Sequence, residues 1–268
     1  MGRRWVGPSI ESDRLAEAIS QQADLPVMLS QVLAAQGVDP AEVESYLNPS
    51  LRDLMPNPSS FKDMDKAAER LSAAVNAGQK IAVFADYDVD GGSSAALILA
   101  WLNALGKSAT LYVPDRLLEG YGPNDAAMEK LGKAHDLVIC VDCGAVSIGP
   151  IAVANAAGAD VIVLDHHLGG EELPPAVAVV NPNRQDETGD YHYLCAAAVV
   201  FLALAAANRL LREAGQKEPA LMPLLDLVAL ATVADVAPLI GFNRALVRQG
   251  LTVMAGRHSP GLVARSDV

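Results

Sequence analysis

Eight side chains able to bind a divalent cation stand in four short stretches of the sequence. Asp86, Asp88 and Asp90 lie in Ala85-Asp86-Tyr87-Asp88-Val89-Asp90-Gly91-Gly92-Ser93-Ser94, and Asp142 lies in Val141-Asp142-Cys143-Gly144. Asp165, His166 and His167 are consecutive, and Asp235 closes the apolar run Thr232-Val233-Ala234-Asp235. Carboxylates at alternate positions repel one another at neutral pH unless cations neutralise them. In extended chain, residues two apart share a face, so Asp86, Asp88 and Asp90 are expected to converge. Taken alone that loop also reads as a solvated acidic turn, and Asp235 as a helix cap. Carboxylate oxygens mixed with imidazole suit Mn²⁺ or Mg²⁺. This many acids exceeds the need of one ion. Two ions about 3.5–4 Å apart acidify a water and neutralise charge on a phosphate ester under attack. Asp142 is the expected ligand shared between them, and Asp165 the acid that sets a histidine tautomer.

The surrounding elements decide whether these groups can meet. Ile81-Ala82-Val83-Phe84 and the longer apolar run from Ala95 to Leu102 predict a strand, a tight loop and a helix from near Ser93 to Gly106. Further short apolar runs cover residues 109–113, 137–141, 161–164 and 177–180. Helical stretches between them, at 125–131 and from Pro150 to Gly158, predict βαβ units on a parallel sheet. Asp86, Asp142 and Asp165 each directly follow such a run. In an open parallel sheet the carboxyl ends share one edge, where ligands bind, so three loops bring carboxylates to one rim. Beyond it, an apolar helix from Leu194 to Leu211, a second from Leu221 to Val233 that delivers Asp235, and a last one from Arg244 to Ala255 precede a polar tail. Residues 1–65 read as helices with proline breaks. They include Leu25 to Gln36, a helix opened by Pro40, and a Pro-, Ser- and Asn-containing linker from Asn48 to Ser60. A helix from Asp63 to Ala77 leads into the sheet. The fold class is α/β, a parallel sheet with helices on both faces (Rossmann-like), preceded by a helical extension.

Of the 268 residues, 51% are hydrophobic and 4% aromatic, which suits a helix-rich α/β protein. Met1-Gly2-Arg3-Arg4 has neither a signal-peptide core nor a good myristoylation context, and no apolar run has the form of a membrane span. Three cysteines make no disulfide framework. Cys140 and Cys143 form a C-x-x-C, but Cys140 sits in a strand-like run, so packing is preferred over redox chemistry. The expected setting is a reducing cytoplasm. A net charge of −12 and the lack of a dense basic run argue against a stand-alone nucleic-acid-binding module. They leave room for an enzyme whose acidic site is neutralised by metals. Gly91-Gly92-Ser93-Ser94 lacks the lysine and spacing of a P-loop; its expected role is a tight turn with helix-start amides, near Ser93 and Ser94, open to a phosphate.

Asp86-Tyr87-Asp88-Val89-Asp90-Gly91, Val141-Asp142-Cys143-Gly144, Asp165-His166-His167 and Thr232-Val233-Ala234-Asp235-Val236 together resemble the four motifs of the DHH phosphoesterase superfamily. Within it the chain is most similar to RecJ-type single-strand-specific 5′→3′ exonucleases. Asn48-Pro49-Ser50-Leu51, Pro114-Asp115-Arg116, Gly120-Tyr121-Gly122, Asn181-Pro182-Asn183 and Asn243-Arg244-Ala245-Leu246-Val247 share that likeness. The resemblance implies that Asp90, Asp142, His166 and Asp235 hold one metal ion. Asp88 and Asp142, with Asp86, would hold the second. Relatives carry a histidine four residues before the Asp88 position, where this chain has Phe84. His167 would contact the scissile phosphate and Arg116 an incoming phosphate. Val89 and Ser93-Ser94 are mild departures. The implied substrate is single-stranded DNA with a free 5′ end, cut to 5′-mononucleotides in repair and recombination. Single-strand-binding protein and a helicase are implied partners of a monomer. Hydrolysis of short oligonucleotides or cyclic dinucleotides, and a catalytically silent DNA-binding relative, are the alternatives. The expected division is a helical extension and wrapping linker over 1–65 and the catalytic domain over 66–268. The DHHA1-like and OB domains of the family are expected to be absent from this chain.

Overall fold

The structure, a computed structural model, describes residues 6–266. The Met1-Gly2-Arg3-Arg4 segment considered above lies outside them. The described chain runs α1 (Ile10–Ala23), α2 (Val27–Ala35), α3 (Val43–Leu47), α4 (Leu51–Leu54), α5 (Met64–Ala77), β1 (Ile81–Ala85), α6 (Val89–Ala104), β2 (Ala109–Tyr112), α7 (Asp125–Ala134) and β3 (Leu137–Val141). It continues through α8 (Ile148–Ala156), β4 (Asp160–Leu164), β5 (Ala178–Val180), α9 (Ala196–Glu213), α10 (Leu225–Ala234), α11 (Gly241–Ala255) and α12 (Pro260–Ser266).

The five strands among the described residues are all parallel, in the order β2-β1-β3-β4-β5. The chain leaves β1 toward one side for β2 and then returns to the other side for β3. The gap between the carboxyl ends of β1 and β3 is therefore the point where winding reverses, the place where α/β sheets bind ligands. Strand alternation splits the interior. Ile81, Val83 and Ala85 face a core shared with α5, α6, α9 and α10, while Ala82 and Phe84 face a second core with α7 and α8. Phe84 is fully buried and stacks on Tyr112, with ring centroids 5.4 Å apart. It is a packing residue on the sheet face.

Several boundaries depart from the sequence reading. Helix α6 starts at Val89, because the Asp88 carboxylate caps it by accepting from the Gly91 amide at 2.9 Å. The acids are thus spread over a strand end, a cap and a first turn, and do not alternate along one extended strand. The proline-containing linker holds the short α4, and the polar tail forms α12. No helix among the described residues is long and apolar enough to cross a membrane.

The N-terminal helices keep a small core of their own, with Ala16, Ile19, Leu33, Ala34, Val38 and Val43. They are fastened to α11 by Arg244, whose guanidinium lies 3.8 Å over the Tyr46 ring and whose Nε donates to the Tyr46 carbonyl at 2.5 Å. Helices α10 and α11 are in backbone contact at Gly250, where a Cβ would stand 2.3 Å from the Leu225 carbonyl oxygen and 2.4 Å from the Ala229 Cβ. Gly250→Ala must push the two helices apart. A loss of about 1–3 kcal/mol, the usual cost of overpacking, is expected in chemical denaturation.

A buried cation ties β5 to the start of α5. Arg184 Nη1 donates to Asp63 Oδ2 at 2.8 Å and to the Val179 carbonyl at 2.6 Å, and its other nitrogens grip Asp186 at 2.9 and 3.0 Å. Burial works against ionisation of Asp63, but hydrogen bonds from Lys66 and Arg184 outweigh it and hold the carboxyl below its ordinary value. The Arg184 hydrogen bonds hold Asp186 down at about 2. A lowered carboxyl pKa stabilises the fold above the ordinary value of 3.8 and ceases to do so as pH falls through the folded value. The part of the melting temperature that depends on Arg184 should be constant above about pH 5 and be lost between about pH 4 and pH 2, so the difference between wild type and Arg184→Met should shrink over that range.

Candidate metal centre

Register puts the key residues in one row. Ala85, Val141, Leu164 and Val180 are aligned across β1, β3, β4 and β5, so the next residues, Asp86, Asp142, Asp165 and Asn181, leave the sheet side by side. The ladder continues one step through them. Asp86 donates its amide to the Val141 carbonyl (3.3 Å), Asp142 to Leu164 (3.0 Å) and Asp165 to Val180 (3.1 Å). Asp142 then adopts φ 60°, the left-handed region that costs non-glycine residues energy and recurs at functional sites. Gly91 lets α6 start against this row, since a Cβ there would lie 2.4 Å from the Asp86 carbonyl oxygen.

Three ligand groups form among the described residues, two of them sharing Asp142. Atoms of Asp86, Asp88 and Asp142 lie within 4.8 Å of one another, as do atoms of Asp142, His166 and His167, and atoms of Asp90, His166 and Asp235. His166 Nε2 lies 3.3 Å from Asp142 Oδ1 and 3.7 Å from Asp90 Oδ2, and its Nδ1 lies 3.9 Å from Asp235 Oδ2. Asp235 is both the C-cap of α10 and a wall of the site, so its two sequence readings coexist. Both oxygens of Asp142, Oδ1 of Asp86 and Nε2 of His166 are buried without a hydrogen-bond partner. Buried polar atoms rarely stay unpaired, and four at one place, all of metal-ligating type, fit divalent cations. Electrostatics agrees. Burial, then the neighbouring Asp90 and Asp88 charges, pushes the Asp142 carboxyl far above its usual range, and burial likewise raises Asp86. Asp90 is raised by burial even though its carboxylate accepts the Ala196 and Ala197 amides at the start of α9, at 2.7 and 2.8 Å. Cations here would relieve the crowding.

Asp165 is hydrogen-bonded at both oxygens. Its Oδ1 accepts the His166 amide at 2.8 Å, the His167 amide at 3.2 Å and His167 Nδ1 at 2.8 Å, and Oδ2 accepts the Ala145 amide at 2.9 Å. Those bonds outweigh burial and hold Asp165 ionised, and the Asp165 hydrogen bond raises His167. His167 is half exposed, with Nδ1 tied to the sheet edge. Tyr121, not singled out as a site residue from the sequence, donates its hydroxyl to the Asp142 carbonyl (3.2 Å) and touches the His167 ring nitrogens at 3.2 and 3.3 Å. Its only sequence signal was its place in Gly120-Tyr121-Gly122.

One expectation changes. Ser93 and Ser94 lie a full turn inside α6 and are buried, so neither offers a helix-start amide to a phosphate; that first turn belongs to Val89, Asp90 and Gly91. Arg116 is exposed at the rim, 5.3 Å over the Tyr87 ring, outside the acid cluster. Cys140 and Cys143 are fully buried free thiols, both raised by burial, which suits packing and not redox exchange.

Residues 80–232, more than half of the chain, match the DHH family, N-terminal domain. The chain belongs to the DHH family. It is 37% identical over 267 residues to the single-stranded-DNA-specific exonuclease RecJ of Salmonella typhimurium, covering 96% of this chain and 45% of that protein. It thus spans less than half the length of that relative. Among solved structures it resembles RecJ of Thermus thermophilus in complex with Mn²⁺, at TM-score 0.71 and 30% identity over 89% of this chain and 33% of that one. The Mg²⁺ complex from the same organism aligns at TM-score 0.59 and 27% identity, over 89% of this chain and 29% of that one. The parallel sheet and its helices described above are those of a DHH domain.

Asp165→Asn removes the charge that holds the His167 proton. The His167 titration followed by NMR should move to lower pH.

Proposed function

We propose that this DHH chain is the catalytic core of a two-metal phosphodiesterase that removes 5′-mononucleotides from single-stranded DNA in the 5′→3′ direction. The observation that carries the reading is Asp142, a buried and unpartnered carboxylate common to two ligand groups. Asp90, Asp142, His166 and Asp235 would hold one ion, and Asp86, Asp88 and Asp142 the other. Asp86 takes the place left by Phe84, whose ring is committed to the core. Mn²⁺ or Mg²⁺ bound there supplies Lewis acidity and an acidified water. The relatives' name as single-stranded-DNA-specific exonucleases supports the substrate, and their Mn²⁺ and Mg²⁺ complexes support the metals.

The chain's own groups have separable tasks. Asp165 holds His167 by Nδ1, and Nε2, 3.3 Å from the Tyr121 hydroxyl, would turn to an oxygen of the scissile phosphate and, being raised toward the charged form, carry a proton to it. Tyr121 keeps the Asp142 turn and the His167 ring in register. Arg116, braced on Tyr87, receives the terminal phosphate at the rim and so measures the 5′ end. The domain reading follows. In the proposed division at 65/66, the helices from Ile10 to Leu47 keep their own small core and form the extension, while Phe61 and Met64 already pack in the core of the catalytic domain. Repair and recombination in the cytoplasm, as a monomer alongside single-strand-binding protein and a helicase, belong to the same proposal.

Digestion of 5′-labelled single-stranded DNA tests it. With Mn²⁺ the wild-type chain should release labelled mononucleotide, and Asp142→Ala should lose more than about a hundredfold of that rate, since a shared ligand outweighs a supporting one. No metal-dependent release by the wild type would end the exonuclease reading for this chain, and full activity in Asp142→Ala would end the site assignment.

A further inference from the structure

Three asparagines in the motifs around the ligands make hydrogen bonds that the chemistry above does not use. Asn181 is the fourth member of the row that starts with Asp86, Asp142 and Asp165, and is fully buried. Its Nδ2 donates to the His167 carbonyl at 2.8 Å, and its Oδ1 accepts the Asn183 amide at 2.7 Å. Asn183 Nδ2 in turn donates to the His166 carbonyl at 2.5 Å and to the His192 carbonyl at 3.2 Å. One residue further, the Tyr193 carbonyl accepts from Asn243 Nδ2 at 2.6 Å, and the same nitrogen reaches the Pro238 carbonyl at 3.1 Å. Pro238 lies in the turn that begins at Asp235. The result is a continuous path from the His166-His167 turn on the sheet edge, through Asn183 and Asn243, to the segment carrying Asp235.

We propose that Asn181, Asn183 and Asn243 are positioning residues that bring the sheet-borne His166 and the helix-borne Asp235 to a common cation. This inference rests on the metal-centre reading. His166 and Asp235 come from different layers, and their facing atoms are 3.9 Å apart, so a small shift of either loop opens the ligand group. The residue type is informative. A carboxamide offers two N–H donors to carbonyls without adding charge, whereas Lys or Arg would compete with a cation for the same acids. Asn243 keeps this arrangement although its own Oδ1 is buried without a partner. Such an atom is costly, and a position that mattered only for packing would be rid of it with an apolar side chain.

Mn²⁺ titration of the whole chain by calorimetry, with turnover on single-stranded DNA, tests the idea. Asn183→Ser and Asn243→Ser should weaken Mn²⁺ binding at least about tenfold, as loss of ligand-supporting groups does. kcat should fall with it while KM for DNA stays within about twofold. Asn183→Gln, which retains the carboxamide, should recover part of the affinity. Asn208→Ser is the control, because Asn208 is also buried and also bonds a carbonyl (Pro219, 2.8 Å), but inside the helical layer beside Trp101. It should lower the melting temperature and leave Mn²⁺ affinity unchanged. Asn183 is partly exposed, so its truncation keeps the test decisive even if Asn243→Ser fails to fold. Wild-type affinity in Asn183→Ser, or equal losses in Asn183→Ser and Asn208→Ser, would overturn the positioning role alone. Absence of Mn²⁺ binding by the wild type would overturn the metal centre and this inference with it.

Discussion

The register of four parallel strands is the constraint from which the site follows. Ala85, Val141, Leu164 and Val180 are level, so four consecutive strand ends release Asp86, Asp142, Asp165 and Asn181 at the same height. A slip of one residue in any pair would turn that side chain toward the opposite face. The two apolar cores hold the register, because each strand buries residues on both sides and has no polar face to tolerate a slip.

That row is electrostatically uphill. Neighbouring carboxylates add to burial in raising three of the acids: Asp88 and Asp165 act on Asp86, Asp235 on Asp90, and Asp90 and Asp88 on Asp142. The fold answers part of this with neutral or helix-derived donors. The start of α9 supplies two amides to Asp90, and the backbone of the histidine turn supplies two to Asp165. Asp142 receives none, and both its oxygens are left for a cation. The division of labour among the acids is thus a division of hydrogen bonds. Asp165 is satisfied by protein and positions a histidine, while Asp142 is unsatisfied and is the residue on which metals would converge.

The remaining ligand depends on helix packing. Asp235 ends α10, which is held tightly to α11 at Gly250, and α11 carries both Asn243 and the arginine that fastens the N-terminal helices. The N-terminal helices are therefore connected to the site through α11. Their attachment stabilises the same element that sets the height of Asp235 above the sheet.

Much of this was readable from residue order. Short apolar runs, each followed at once by an acid, determined a parallel sheet with carboxylates on one rim, because strand ends in such a sheet share an edge. The candidate ligands, and the role of Asp165, came from the same reasoning. Local pattern failed at Gly91-Gly92, where two glycines read as loop. There Asp88 caps a helix already begun, and Gly91 is needed for the close approach of Asp86; that correction buried Ser93 and Ser94. Tyr121 and the three asparagines had no legible task, because their partners are main-chain carbonyls distant in sequence, and carbonyls carry no residue identity. Sequence alone determined which groups could bind metal, since that is a property of side-chain chemistry. Only the tertiary structure decided which acids are left unpaired to do so, since that depends on which backbone amides the packing brings within reach.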